Sequence, residues 1–236
     1  MTKFFNVSVL DDVKIFVINM DEDKEKLYEF SNKLNDQNIS FERFPGVRLV
    51  EETKQFYIDQ KLLNPRCKLL KKGWVGLAMA HLSLWKHIYN LNSNEKYFLI
   101  FEDDEVIHDD YIDKLNSILN EIEYDFDFLN LNTLRTDGEL IGEYVYKIQK
   151  KTLTSGKLPN VWTSSYIINK KFTNTLINII NPEFADFDFA QFDVALVKKL
   201  YSVADKYNLY VCPTNIISTH VEDRSKSAKI RYNEKV

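Results

Sequence analysis

With 236 residues, 44% of them hydrophobic and 14% aromatic, the chain has enough apolar material for one sizeable core and fits a single domain. A formal net charge of −4 excludes the strong basic balance of nucleic-acid or anionic-surface binders. Two cysteines, Cys67 and Cys212, exclude a disulfide framework or a cysteine metal cluster, and fit a reducing compartment or two core residues.

The stretch Met1–Asn6 carries no apolar signal core, and no run reaches membrane-spanning length. The expectation is a cytoplasmic chain without a transmembrane segment, touching a membrane only peripherally if at all. Val13 to Asn19 reads as a first buried strand. Asp21 or Asp23 is placed to cap a helix in which Leu27, Phe30 and Leu34 recur at helical spacing. Ile39 to Phe44 is a second strand candidate, closed by the turn signal Pro45-Gly46. Strand, helix and strand in about thirty residues make a βαβ unit and hence a parallel pair.

Glu51 to Leu70 is polar and mixed, read as a surface helix and loop ending in the basic Lys68, Lys71 and Lys72. A long helix then runs from Gly73 to about Asn92. Val75, Ala78, Met79, Leu82, Trp85 and Tyr89 form its apolar face, with His81 beside that face as an edge histidine. Gly76, Ala78 and Ala80 let its first turns approach neighbouring backbone closely.

Tyr97-Phe-Leu-Ile-Phe101 is a buried strand by composition, and it ends in Glu102, Asp103, Asp104 and Glu105. Consecutive carboxylates at the mouth of a buried strand repel one another. A divalent cation sharing substrate phosphates would relieve that repulsion. If the run stays extended, Glu102 and Asp104 face one way and Asp103 the other. The other reading is a solvated acidic turn ahead of the next helix, which Asp109 or Asp110 caps and which carries Tyr111, Ile112, Leu115, Ile118, Leu119 and Ile122.

Phe126 to Leu131 is a further strand, and Leu140 to Leu153 suggests an antiparallel hairpin after the turn Asp137-Gly138. Thr154 to Pro159 reads as a loop, either ordinary or a lid. Val161 to Ile168 is a strand and Lys171 to Ile180 a helix stopped by Asn181-Pro182. Asp186, Asp188 and Asp193 precede or open a helix through Lys206, where a carboxylate serves as a cap or as a general base. Tyr210 to Ile217 is the last strand, His220 follows it, and Val221 to Val236 reads as a loose tail. One domain over 1–236, packed from about 13 to 220, accommodates all of this.

In open α/β sheets ligands gather beyond the carboxyl ends of strands. Glu102/Asp104 follows its strand and qualifies, whereas Asp125/Asp127 precedes its strand and falls on the wrong edge. Three classes fit such a site: a sugar transferase using a metal-bound diphosphate leaving group, a metal phosphohydrolase, and a binding module. The chain has no Gly-x-x-x-x-Gly-Lys-Ser/Thr loop and no Gly-x-Gly-x-x-Gly fingerprint, which argues against P-loop and dinucleotide enzymes.

Five stretches taken together, with their order and spacing, resemble glycosyltransferase family 25, which includes lipooligosaccharide and collagen galactosyltransferases. They are Val17-Ile-Asn-Met-Asp21, Gly73-Trp-Val-Gly-Leu-Ala-Met-Ala-His81, Ile100-Phe-Glu-Asp-Asp104 and Ser165-Tyr-Ile-Ile-Asn169 ahead of Gln191-Phe-Asp193. The chain departs from the family pattern at Lys26, Ala80 and Phe192. The resemblance implies an α/β, GT-A-like fold with a mixed, mostly parallel Rossmann-like sheet flanked by helices. It implies inverting transfer of a hexose, galactose from UDP-galactose first and glucose second, to a glycan, lipooligosaccharide, glycolipid or glycoprotein. The cofactor it implies is Mn²⁺ or Mg²⁺. Carried onto this sequence, Asn19, His81, Glu102 and Asp103 would serve the donor. Asp104, Glu102 and His220 would serve the metal, and Asp193 would be the base with Asp188 next. The alternative is a catalytically weak relative that binds a nucleotide or glycan without transfer.

Overall fold

The computed structural model describes residues 13–59, 65, 72–122, 125–153, 158–180 and 192–220, with Thr219 and His220 described by their main chain alone. Strand β1 (Val13–Asn19), helix α1 (Lys24–Asp36) and strand β2 (Glu42–Pro45) form the expected parallel βαβ unit, with Val17 opposite Arg43. Helix α2 (Glu51–Asp59) and the long α3 (Lys72–Asn90) lead to β3 (Tyr97–Glu102), which lies parallel to β1. A short β4 (Glu105–Ile107), helix α4 (Tyr111–Glu121) and β5 (Phe128–Thr133) follow. The hairpin is present but short, as β6 (Glu139–Leu140) and β7 (Tyr146–Lys147). Then come β8 (Ser165–Asn169), α5 (Lys170–Ile180), α6 (Phe192–Val203), β9 (Leu209–Pro213) and β10 (Ser218–His220).

Eight strands form one sheet in the order β2-β1-β3-β8-β5-β9-β7-β6. The sheet is mixed, as expected, but β8 enters antiparallel between β3 and β5, so antiparallel pairing takes a larger share than anticipated. That insertion decides the site. It lays the residues just before β8 beside the carboxyl end of β3, with Phe101 opposite Ser165.

The β3 side chains alternate between two cores. Phe98 and Ile100 pack with α3, α5 and α6 through Trp85, Phe172 and Phe192. Tyr97, Leu99 and Phe101 pack on the other face with α1 and α4 through Phe30, Leu34, Tyr111 and Leu115. Both faces are covered, which is why this strand reads as an unbroken apolar run rather than an alternating one. Each such side chain stabilises the fold by roughly 1.5–3 kcal/mol, so β3 is a rigid support for the acids at its end.

Helix α3 buries most of its expected face, Val75, Ala78, Leu82 and Trp85, but the buried stripe is wider than its pattern suggested. Leu84 and Ile88 are buried, whereas Tyr89 is 48% exposed. His81 sits at the centre of the buried stripe, not beside it. A Cβ on Gly76 would strike the Val47 carbonyl oxygen, so this glycine lets α3 approach the chain leaving β2. Neither expected aspartate cap forms. Asp23 and Asp110 occupy the N-cap positions of α1 and α4 without a side-chain cap bond, and they pair with Lys26 and Lys114. Among the described residues no helix is long and apolar enough to cross a membrane.

Candidate active site

The carboxyl end of β3 is where three segments meet: the end of β1, the acid run, and the lead-in to β8. Strand pairing continues to Glu102, whose N–H donates to the Ser164 carbonyl at 2.8 Å. Asp103 and Asp104 then turn the chain. The acid run is therefore not extended, and the simple alternation expected of it is replaced by three destinations. Asp103 swings to β1, Glu102 faces the β8 lead-in, and Glu105 goes into the core. Asp104 stays half-buried at the turn.

Glu102 is held from two sides on one oxygen. Thr163 Oγ1 donates to its Oε1 at 2.9 Å, and His81 Nε2 lies 3.3 Å from the same atom. The other ring nitrogen, Nδ1, lies 2.8 Å from the Tyr166 hydroxyl, which in turn accepts from Trp85 Nε1 at 2.9 Å. One tautomer satisfies every group. The Tyr166 hydroxyl donates to Nδ1, and Nε2–H donates to Glu102. Burial pushes the Tyr166 phenol well above its usual range, keeping it a donor. His81 is 0% exposed and stacked on Phe192 at 4.8 Å between ring centroids. It was expected near the donor; it is fully buried and reaches the acid run only through Glu102.

Asn19 is also one step back from solvent. Its Nδ2 donates to Asp103 Oδ2 at 2.6 Å and to the Asp23 carbonyl at 2.9 Å, while its Oδ1 accepts from Arg43 Nε at 2.9 Å. The side chain is 2% exposed and its hydrogen-bonding capacity is used. Arg43 then reaches Asp21 at 2.5 Å. Its guanidinium is 32% exposed, and the positive charge of Lys26 acts on the Asp103 carboxylate. Burial raises the Asp103 carboxyl above the ordinary range, opposed in part by the Asn19 bond.

Asp193 opens α6. Its Oδ1 accepts from the Val194 N–H at 2.8 Å and its Oδ2 from the Trp162 N–H at 3.3 Å. Burial raises its carboxyl, those amide bonds oppose the rise, and the negative charge of Glu102 adds to it. Glu102 and Asp193 are thus close enough to sense each other across the β8 lead-in. Asp186 and Asp188 lie outside the described residues. His220 does not follow the last strand into a tail: it ends β10, which pairs antiparallel with β4 and sets His220 opposite Glu105. Asp125 and Asp127 fall at the opposite edge, with Lys96 and Asn208, as expected.

Sequence reasoning did not single out Arg43, Thr163 or Trp162, nor the asparagines of β5. Asn130 and Asn132 are buried in an otherwise apolar strand, and that contrast was the available signal. Among the described residues, no three His, Cys, Asp or Glu side chains converge on one metal position. Glu102 and Asp104 nevertheless offer hard oxygen ligands at a single turn. With phosphate oxygens and water, such a pair fits Mg²⁺ or Mn²⁺.

The mixed sheet, its flanking helices and an acid turn at a central strand end define the GT-A class of α/β fold. A glycosyltransferase involved in the glycosylation of the major capsid of PBCV-1 has a similar fold, with a TM-score of 0.52 at 8% identity, over 95% of this chain and 99% of that one. So does a UTP-bound UGPase from Acinetobacter baumannii, with a TM-score of 0.50 at 11% identity, over 92% and 91%. At these identities the likeness concerns the fold alone. Residues 12–190 match the family described as glycosyltransferase family 25 (LPS biosynthesis protein). The chain belongs to glycosyltransferase family 25. Two relatives come from Acanthamoeba polyphaga mimivirus. One, named a glycosyltransferase, is 28% identical over 118 residues, 48% of this chain and 35% of its own length. The other, named a procollagen lysyl hydroxylase and glycosyltransferase, is 27% identical over 164 residues, 64% of this chain and 17% of its own. The chain thus spans about a third of one relative and a sixth of the other.

Proposed function

We propose that this chain transfers a hexose from a nucleoside diphosphate sugar to a hydroxyl of a glycan, glycolipid or glycoprotein, with inversion at the anomeric carbon. UDP-galactose is the first candidate donor and UDP-glucose the second. The observation that carries the reading is the pairing of two anionic centres on adjacent residues of the β8 lead-in. Glu102 and the Asp103–Asp104 turn lie on one side, and Asp193, held by the Trp162 amide, lies on the other. A binding module has no need of a second, burial-tuned carboxylate facing the first.

In this reading Asp193 accepts the proton of the acceptor hydroxyl. The acceptor oxygen forms its bond to the anomeric carbon while the bond from that carbon to the diphosphate breaks on the opposite face, and UDP leaves. Burial favours proton uptake by Asp193, which suits a base more than an ordinary surface aspartate would. Glu102 is kept pointing at the cleft by Thr163 and by His81, so no side-chain reorganisation is needed when the donor arrives. Arg43 faces the nucleotide end of the cleft, beside the Asn19–Asp103 bond. Asp104 and Glu102 would hold Mn²⁺ or Mg²⁺, with His220 as a third ligand, and the ion would neutralise the diphosphate as it departs.

The test is thermal melting of the full chain against UDP, UDP-galactose and UDP-glucose, with and without Mn²⁺, followed by transfer assays. A ligand that binds only the folded state raises the melting temperature. A metal-dependent rise with UDP that Asp104→Asn removes supports the reading. Asp193→Asn should then keep the UDP response and lose transfer by roughly 10²–10⁴-fold. No response to any nucleotide with either metal would sink it.

A further inference from the structure

The segment leading into β8 holds two residues in the left-handed region, Asn160 at φ +53° and Trp162 at φ +88°. Asparagine tolerates that region, but a bulky residue there is an outlier, and such strain persists only where surrounding bonds over-determine it. The main-chain bonds on either side of Trp162 do so. The Val161 carbonyl accepts from the Leu134 N–H at 3.1 Å, and the Trp162 carbonyl accepts from Asn130 Nδ2 at 2.7 Å. These two acceptors lie on the two peptide planes that meet at residue 162. The first plane also carries the N–H that reaches Asp193, and the second leads to Thr163, whose hydroxyl holds Glu102. The rotation at residue 162 therefore sets the supports of the two carboxylates relative to each other.

Asn160 ties the same segment to α6 a second time. It is 1% exposed, and both hydrogens and the oxygen of its amide are used. Its Oδ1 accepts from the Asp137 N–H at 2.8 Å, and its Nδ2 donates to the Asp137 carbonyl and the Tyr201 hydroxyl, both at 2.8 Å. Tyr201 in turn donates to Asp137 Oδ2 at 2.5 Å, and the same oxygen accepts from Lys151 Nζ at 2.5 Å. Tyr201 and Asp193 both belong to α6, roughly two turns or about 12 Å apart along its axis. A single attachment would let the helix pivot about it. Two attachments to one segment, at Trp162 and at Asn160, fix its register and direction.

We infer that Asn160 and Tyr201 are positioning residues that lock α6 to the β8 lead-in and so hold Asp193 in place relative to Glu102. The inference rests on the transfer reading above. Both act through another group: Asn160 through the main chain of residues 161–163, and Tyr201 through the helix that Asp193 opens. A base must come within about 3 Å of the proton it takes, and a misplacement of about 1 Å can cost on the order of 10²-fold in rate. The lock therefore bears on turnover and leaves binding of the donor to the acid turn, on the β3 side, unchanged.

The experiment reads turnover of the full chain as UDP released from UDP-galactose or UDP-glucose with Mn²⁺, water standing in for the acceptor. The water oxygen bonds to the anomeric carbon, its proton goes to Asp193, and UDP leaves. Asn160→Gly keeps the left-handed backbone and removes the amide. Its kcat should fall about 10–100-fold, with donor KM and UDP affinity held within about twofold. Placed in the Asp193→Asn chain, the same substitution should lower the remaining turnover by less than about twofold, because a residue that acts through Asp193 has nothing further to lose. Tyr201→Phe, the milder variant, should show the same pattern with a loss of about fivefold, the size of one hydrogen bond. Hydrogen exchange gives a reading that needs no turnover. The Trp162 amide should exchange about tenfold faster in both variants, with the amides of Phe101 in β3 and Leu129 in β5 unchanged. Equal losses in the parent and Asp193→Asn backgrounds, a rise in donor KM at constant kcat, or unchanged exchange at Trp162 overturns this inference and leaves the transfer reading standing. Failure of the parent chain to bind UDP, or to release it from either sugar nucleotide, brings down both.

Discussion

Glu102 and Glu105 are three residues apart in one acidic run, and both are held by hydroxyl or nitrogen donors distant in sequence, yet they serve opposite ends. Glu102 ends β3, keeps 18% of its side chain exposed, and receives Thr163 and His81 on one oxygen. Glu105 begins β4, is 4% exposed, and receives Asn132 at 2.8 Å, Ser165 at 3.0 Å and a short bond from Ser218. The first set of donors aims a carboxylate at the cleft. The second fastens β4 to β5, β8 and β10, and so fixes the position of the acid turn and of His220. A carboxylate held by several donors is thus not by itself a site; what distinguishes Glu102 is that it stays partly exposed at the end of its strand.

The comparison breaks most visibly in activity. Glu102→Gln should lower kcat/KM for sugar transfer by roughly 10²–10³, with a melting temperature close to that of the parent, because the amide retains the size and part of the bonding. A variant with unimpaired transfer would remove Glu102 from the site. Glu105→Ala should do the reverse. Losing a buried, triply bonded carboxylate should cost about 3 kcal/mol, or roughly 6–12 °C of melting temperature in a domain of this size. UDP binding measured well below the transition should survive. If the Glu105 variant melts normally but cannot bind UDP, the structural role assigned to it is wrong.

His81→Phe sharpens the comparison from behind Glu102. The phenyl ring can keep the stack on Phe192 but cannot donate to the carboxylate. Transfer should fall about tenfold, with the loss appearing in kcat rather than in the donor KM. A substituted chain that loses donor affinity alone would mean that His81 touches the donor directly.

The smallest effect concerns Asp193 and pH. Burial lifts its folded carboxyl above the unfolded value, so the native state binds the proton more tightly. Its contribution is most favourable at pH below the unfolded pKa and declines as pH rises through the folded value. At neutral pH the ionised carboxylate is a net cost to folding. Asp193→Asn should therefore melt about 2 °C higher than the parent at neutral pH, and the gain should vanish in acid. The parent's transfer rate should lose its base on an acid limb lying above the ordinary aspartate range. Equal melting differences at both pH values would argue against a buried, ionised Asp193.

Much of this was legible before any coordinates. The unbroken apolar run of β3 announced a strand covered on both faces, and the first βαβ unit followed from spacing alone. Glu102 to Glu105 stood out because charge at the end of such a strand demands an explanation. The edge position of Asp125 and Asp127 also followed from strand direction. Less legible was anything that depended on how the chain returns. Glu139–Leu140 and Tyr146–Lys147 are too short to bound by pattern, and β10 was missed between the last expected strand and the tail because three residues carry no period. His81 was assigned to the edge of a helical face, since the width of the stripe is invisible until packing adds Leu84 and Ile88 to it and leaves Tyr89 outside.

Local chemistry in the sequence determined that there would be a buried central strand, a helix-covered sheet and an anionic mouth, because burial, period and charge act over a few neighbouring residues. Only the tertiary structure decided which acids face the cleft. That choice depends on a turn at Asp103–Asp104 and on β8 entering the sheet antiparallel, which brings Thr163 to Glu102 across 61 residues of chain and Trp162 to Asp193 across 31. Contacts of that span are set by how the whole sheet assembles, not by the preferences of the residues that make them.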